Sequence, residues 1–252
     1  MKAFILRHKK LIYSLFAIFF WLCIWQLFAF LLDEELFLAS PVTVACSLLD
    51  ILGQRSLYIM LSNSSLRIVG GFLASAALGV LLASLSSASA FIKALLQPFM
   101  AMIKAAPVAS FIILALIITG SDNLALLISF LVSLPIVYTN VLTGIESIEP
   151  QQFEAADIFA MTAGDRFRAI YYPEVYPFFT SACCAGLGLC WKAGVAAEVI
   201  GLTRASLGEA LYNSKIFLDI PALFAYTLII VLVSFALEKL MSLFFAKIAP
   251  RE

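Results

Sequence analysis

QQFEAADIFAMTAGDRFRAIYYP, residues 151–173, is the stretch on which the reading of this chain turns. It is the longest polar interval after the first helix in an otherwise apolar sequence, and it holds Glu154, Asp157, Asp165, Arg166 and Arg168. As a single helix, it would place Phe153, Ala156, Ala160, Ala163, Phe167 and Ile170 on one face, at steps of three and four residues. Glu154, Asp157, Met161, Asp165 and Arg168 would share another. A segment apolar on one side and charged on the other, set between membrane spans, can lie at the bilayer surface and offer its polar side to a partner. The plainer alternative is a solvated surface helix that touches nothing.

The residues around this interval are those of a membrane protein. Hydrophobic residues make up 63% of the 252 and charged residues 13%, near half the charged share of a soluble protein. Lipid must be the solvent for most of such a chain. The charge balance is even, with 16 basic and 16 acidic residues, so nothing argues for nucleic acid. The cysteines, Cys23, Cys46, Cys183, Cys184 and Cys190, have no C-x-x-C spacing, which disfavours a zinc site or a disulfide framework. His8 is the one histidine, which removes a Ser-His hydrolase, a His-ligated metalloprotease and a haem held by paired histidines. There is neither a P-loop signature nor a G-x-S-x-G. The chain is therefore expected to be a non-enzyme that binds no cofactor or metal, and any ATP that drives it is hydrolysed by another subunit.

Read in order, the hydropathy suggests an all-α, polytopic protein with about six transmembrane helices. After a tail of residues 1–10, one domain of residues 11–252 holds spans at about 11–32, 66–85, 95–118, 124–142, 176–202 and 222–245, with a loop at 143–175. Lys2, Arg7, Lys9 and Lys10 precede the first span and place the N-terminus in the cytoplasm; Asp33, Glu34 and Glu35 end that span outside. Tyr13, Trp21 and Trp25 are candidate interfacial anchors. Ser40-Pro41 is a helix-start signal, and 41–62 reads as one outer-surface helix. In the second span Gly71, Ser75, Gly79, Ala83 and Ser87 form a small-residue stripe, which lets another helix approach closely; the neighbour could be in the same subunit or a second one. Residues 86–93 read as a short polar turn. Pro107 is expected to kink the third span, with Lys104 snorkelling from its inner end. Glu238, Lys239, Lys247 and Arg251 mark a cytoplasmic end for the last span. Counting spans puts 151–173 in the cytoplasm, in agreement with the basic N-terminus.

The fifth span carries a second thin face, Ala182, Gly186, Cys190 and Gly194, that ends in Glu198. Lys192 sits near mid-span on another side. Intramembrane charges are costly and face a partner or a wet cavity, so Glu198 and Lys192 are candidates for the translocation path. The alternative puts Glu198 at the outer headgroups and pairs Lys192 with a carboxylate on another helix.

Glu154-Ala155-Ala156, followed by Ile170 and Pro173, resembles the EAA loop of bacterial ABC importer permeases. Ala39-Ser40-Pro41, Trp191, Ala197-Glu198 and Ser206-Leu207-Gly208 are similar to the nitrate, sulfonate and taurine branch of that family. The family usually has a Gly six residues after the Glu; here that position is Ala160 and a Gly follows at Gly164, which leaves the position of the bend open. The resemblance implies a type I ABC importer permease fold in the bacterial inner membrane, with both termini cytoplasmic. It implies short coupling helices that dock on cytoplasmic ABC ATPase subunits, where ATP and Mg would bind. It implies an extracytoplasmic solute-binding protein, and a second permease copy as a homodimer partner. Glu154, Ala155, Ala156, Gly164 and Pro173 would carry the coupling, joined on the exposed face by Asp157, Met161, Asp165 and Arg168. The solute would be a sulfonate-, nitrate- or taurine-like anion or a vitamin precursor, moved by alternating access. The competing function is an ion-coupled secondary transporter or channel, which would need ion ligands at the midplane.

Overall fold

Residues 2–32 and 37–248 are described by the computed structural model, and every regular element among them is helical. The acidic residues Asp33, Glu34 and Glu35 and the terminal Arg251 lie outside this range. The helices are α1 (Lys2–Leu32), α2 (Pro41–Leu52), α3 (Arg55–Ala88), α4 (Ala90–Ala105), α5 (Val108–Thr119), α6 (Leu124–Glu146), α7 (Pro150–Ile158), α8 (Ala163–Arg166), α9 (Tyr172–Gly201), α10 (Leu207–Ile216) and α11 (Ile220–Ile248). Among the described residues, four stretches are long and apolar enough to cross a membrane: α3, α6, Ala163–Gly201 and α11. The bent pair α4–α5 supplies a fifth if counted as one span.

The chain divides into two compact units, Met1–Tyr58 with Ala210–Ile229, and Ile59–Glu209 with Ile230–Glu252. In the first, Ser40 caps α2, accepting the Thr43 amide on its hydroxyl at 3.2 Å ahead of Pro41. Trp25, expected at the lipid interface, packs inward instead. Its indole N–H donates to the Ala39 carbonyl at 3.0 Å and its ring lies against Phe224; an indole buried in apolar surroundings needs such an acceptor. Tyr13 and Trp21 remain exposed.

In the second unit, α3, α6 and α9 approach through small residues. A side chain on Gly71 would run into the α6 backbone at Leu126, and one on Gly79 would press on Val137. Ser75 and Ser133 share a hydrogen bond between these helices, and Ser86 accepts the Tyr138 hydroxyl at 3.0 Å. Gly186 and Gly194 of α9 face Phe72 and Ile68 of α3 and Ser133 and Ser129 of α6. Both small-residue stripes therefore close on partners within the same chain. Ser87, assigned to the first stripe, is exposed.

Three expectations need correction. Residues 41–62 are not one helix: α2 stops at Leu52, Gly53 caps it, and 55–62 open the long α3. The 86–93 turn shrinks to the Ser89 cap between α3 and α4. Pro107 does not merely kink a span. Ala106 is extended (ψ 139°), as a residue before proline prefers, and α4 and α5 meet at 104°. With 12 residues, α5 is about 18 Å long and cannot cross alone. Pro135, by contrast, is accommodated inside α6, where the Thr139 hydroxyl bonds its carbonyl.

Candidate functional site: the 150–173 loop and the buried carboxylate of α9

The polar interval is not one helix. α7 ends at Ile158, residues 159–162 turn, and α8 begins after the Thr162 cap. The turn is made by Ala160, whose φ is +49°, a left-handed conformation that only Gly adopts cheaply. Gly164 lies inside α8 with no such φ. The bend therefore falls where the resemblance expects Gly, with Ala in the strained position.

The single-helix face divides accordingly. Phe153, Ala156 and Ile170 pack together with Ile148 into a small core, and Ala156 is 1% exposed. Ala160 and Ala163 are exposed, and so is Phe167. On the polar side Glu154, Asp157, Asp165 and Arg168 are exposed as expected, whereas Met161 leans half-buried onto the core; Ala155 is exposed as well. A residue not singled out from sequence ties the two halves: Arg166 pairs with Asp157 at 2.5 Å and donates from Nε to the Met161 carbonyl at 3.3 Å. Thr162 and Asp165 form a reciprocal capping box, and the hydrogen bonds from Thr162 hold the Asp165 carboxyl below its ordinary pKa. Glu154 has no hydrogen bond or ion pair among the described residues.

Pro173 sits in the first turn of α9. Its ring cannot donate to the Ala169 carbonyl and would crowd it. The chain answers with a widened turn at Phe167–Tyr171, in which the Tyr172 amide bonds the Phe167 carbonyl. The loop exposes two further apolar residues, Ile158 (82%) and Phe159 (75%). An open cavity of about 550 Å³ lies beside them, lined by Phe159, Ala160, Met161, Asp165, Arg168 and Ala169. Adjacent apolar residues inside a polar interval were the sequence signal for this patch.

At the other end of α9, Glu198 is wholly buried. Its Oε2 accepts from Ser64 Oγ at 2.8 Å and from the Gly208 amide at 3.3 Å; its Oε1 lies 3.9 Å from Arg67. Ser64 in turn accepts the Leu207 amide at 3.0 Å. A side chain at Gly208 would overlap Glu198, so glycine is required there. The carboxylate thus fastens residues 202–209 to α3. Lys192 is exposed on a different face. Lys104, expected to snorkel, donates to Thr139 Oγ1 at 2.7 Å. Glu238, expected at the end of the last span, lies well inside α11 and against Gly188 of α9.

Apolar helices of spanning length joined by an exposed, two-helix loop are the architecture of a polytopic membrane protein. Residues 75–251 match the model of the family described as binding-protein-dependent transport system inner membrane component, and the chain belongs to that family. It is 25% identical to the taurine transport system permease protein of Escherichia coli (strain K12), over 85% of this chain and 80% of that one. It is 25% identical to the putative aliphatic sulfonates transport permease protein of Bacillus subtilis (strain 168), over 84% and 77%. Against a nitrate import permease protein of Synechocystis the identity is 23%, over 79% and 72%. A crystal structure of an amino acid ABC transporter with histidines superposes with a TM-score of 0.54 at 20% identity, covering 76% of this chain and 90% of that one. This last likeness concerns the fold.

Proposed function

We propose that this chain is the permease subunit of an ATP-driven importer and that the 150–173 loop is its contact with a separate cytoplasmic ATPase. The observation that carries this reading is the loop's two-sidedness. Ala156 and Ile170 anchor it to the chain through a core of its own, while Glu154, Ile158 and Phe159 project outward with a cavity beside them. Exposed apolar residues ringed by charge suit a protein partner better than water. In this reading both termini and the loop are cytoplasmic, a solute-binding protein delivers the solute from outside, and a second permease copy completes the path. ATP and Mg belong to the partner. Glu154 offers its free carboxylate to a basic group of the ATPase, and the stiff α7–α8 turn passes the movement to α9 through Pro173.

The solute is a small anion or an amphoteric molecule with an anionic group. The relatives' names specify aliphatic sulfonates, taurine and nitrate, and Lys192 offers an exposed ammonium within α9. Uptake and ATP hydrolysis, measured in vesicles that contain the assembled complex, test the proposal. Glu154→Ala and Ala156→Leu should each lower uptake at least tenfold while the permease stays in the membrane. Undiminished uptake in both variants, or full transport by the purified chain without nucleotide, would overturn it.

A further inference from the structure

α9 and α11 each bring a charge into the apolar part of the chain, and both charges lie on the same side of α9. Lys192 is exposed near the middle of α9. Glu238 rests against Gly188, where even a Cβ would collide with its carboxylate. Gly188 lies four residues before Lys192 and about 40° around the axis, so the two sites are about 6 Å apart along α9. A lysine side chain swings over that distance. Glu238 has little to satisfy it. Ser234 donates to its Oε1 at a long 3.4 Å, an ionised carboxylate has about four acceptor sites, and the residue is only partly buried. The two charges are not in ion-pair contact in this conformation. An unpaired charge in a membrane span is expensive and seeks an opposite charge or water.

We infer that Lys192 and Glu238 are a switchable charge pair: bonded to each other when the path is empty, and parted when the anionic group of a solute takes the ammonium. The inference rests on the importer reading and adds Glu238 to the path as the residue that positions Lys192. Gly188 is the backbone gap that admits the carboxylate. The sequence leaves open a carboxylate partner for Lys192 on another helix but does not point to Glu238, which stands next to Lys239 near the basic end of the last helix.

A charge cycle on the assembled complex tests it, with uptake expressed per assembled complex and ATP hydrolysis measured in parallel. Lys192→Met and Glu238→Gln should each lower uptake about tenfold or more, with hydrolysis continuing. The double variant, which leaves no uncompensated charge, should exceed the poorer single variant several-fold. Normal uptake in Glu238→Gln, or a double variant no better than the poorer single one, would overturn the pair. So would a loss of uptake that merely tracks the amount of assembled complex, since that is what a purely structural contact gives. The importer reading fails separately, if the unaltered complex transports without ATP.

Discussion

Ala160 holds a φ of +49° at the corner between α7 and α8, where a Cβ is strained against its own backbone. Ala160→Gly should therefore raise stability by about 0.5–1 kcal/mol, the gain from lost strain exceeding the added freedom of the unfolded chain. Gly164→Ala is the control. It lies in α8, and the nearest group to an added methyl is Thr162 Oγ1 at 3.9 Å, so this change should be neutral or stabilising by up to about 1 kcal/mol. Thermal unfolding of the purified chain reads both. A loss of stability at position 160 together with a larger loss at 164 would move the bend to the glycine. The composition of this loop and its amphipathic character were legible in the sequence. The bend was not, because alanine gives no sign that it sits in a conformation reserved for glycine. Arg166 was missed for a related reason: its partner Asp157 comes within reach only after the chain turns.

At the scale of elements, the helices of the second unit are held together by small residues and a few buried polar groups. Gly70 and Gly71 are neighbours in α3 with opposite surroundings. Nothing lies within 4 Å of a Cβ at Gly70, whereas one at Gly71 meets the α6 backbone. Gly71→Ala should cost about 1–3 kcal/mol through overpacking, and Gly70→Ala should be neutral or gain about 0.5–1 kcal/mol from helix propensity. Equal effects in a denaturation assay would mean that α3 does not pack on α6 through this face. Glu198 is the polar counterpart. Glu198→Ala strands Ser64, the Gly208 amide and Arg67, and should cost about 3–5 kcal/mol. Glu198→Gln keeps an acceptor for two of the three and should cost about 1–2 kcal/mol. If alanine were as stable as glutamine, the carboxylate would not be the fastening of residues 202–209. The periodicity of these stripes could be read from sequence, since spacing of four fixes one face of a helix. Their destination could not, because a small-residue face fits a helix of the same chain or of another equally well. Nor could the break at Ala106: hydropathy runs unbroken through a proline whether the backbone tilts slightly or turns through 104°.

For the whole molecule, the packing of both stripes inside the chain changes the argument about self-association. Neither stripe remains available to a second copy, so a homodimer must use a different surface. α9 still presents one, in which Ser181, Ala185, Leu189, Lys192, Ala196 and Ile200 are exposed at helical spacing. Large apolar side chains cover lipid-facing helices well, and the exposed face of α11 has them at Val231, Leu232, Phe235 and Leu240. The α9 face also carries Leu189 and Ile200, but it sets three small residues and an ammonium among them, which suits a narrow aqueous path or a close second subunit. Ala196→Leu separates this from a lipid-facing role. Ala196 is exposed within the chain, so the larger side chain should leave the fold within about 0.5 kcal/mol of the original. In the importer, however, it would fill space that solute or a second copy needs, and uptake should fall at least tenfold with the amount of permease in the membrane unchanged. Ala196→Ser, which adds little volume, should transport normally. Full uptake by Ala196→Leu would assign this face to lipid and leave Lys192 to reach the headgroups, removing it from the path.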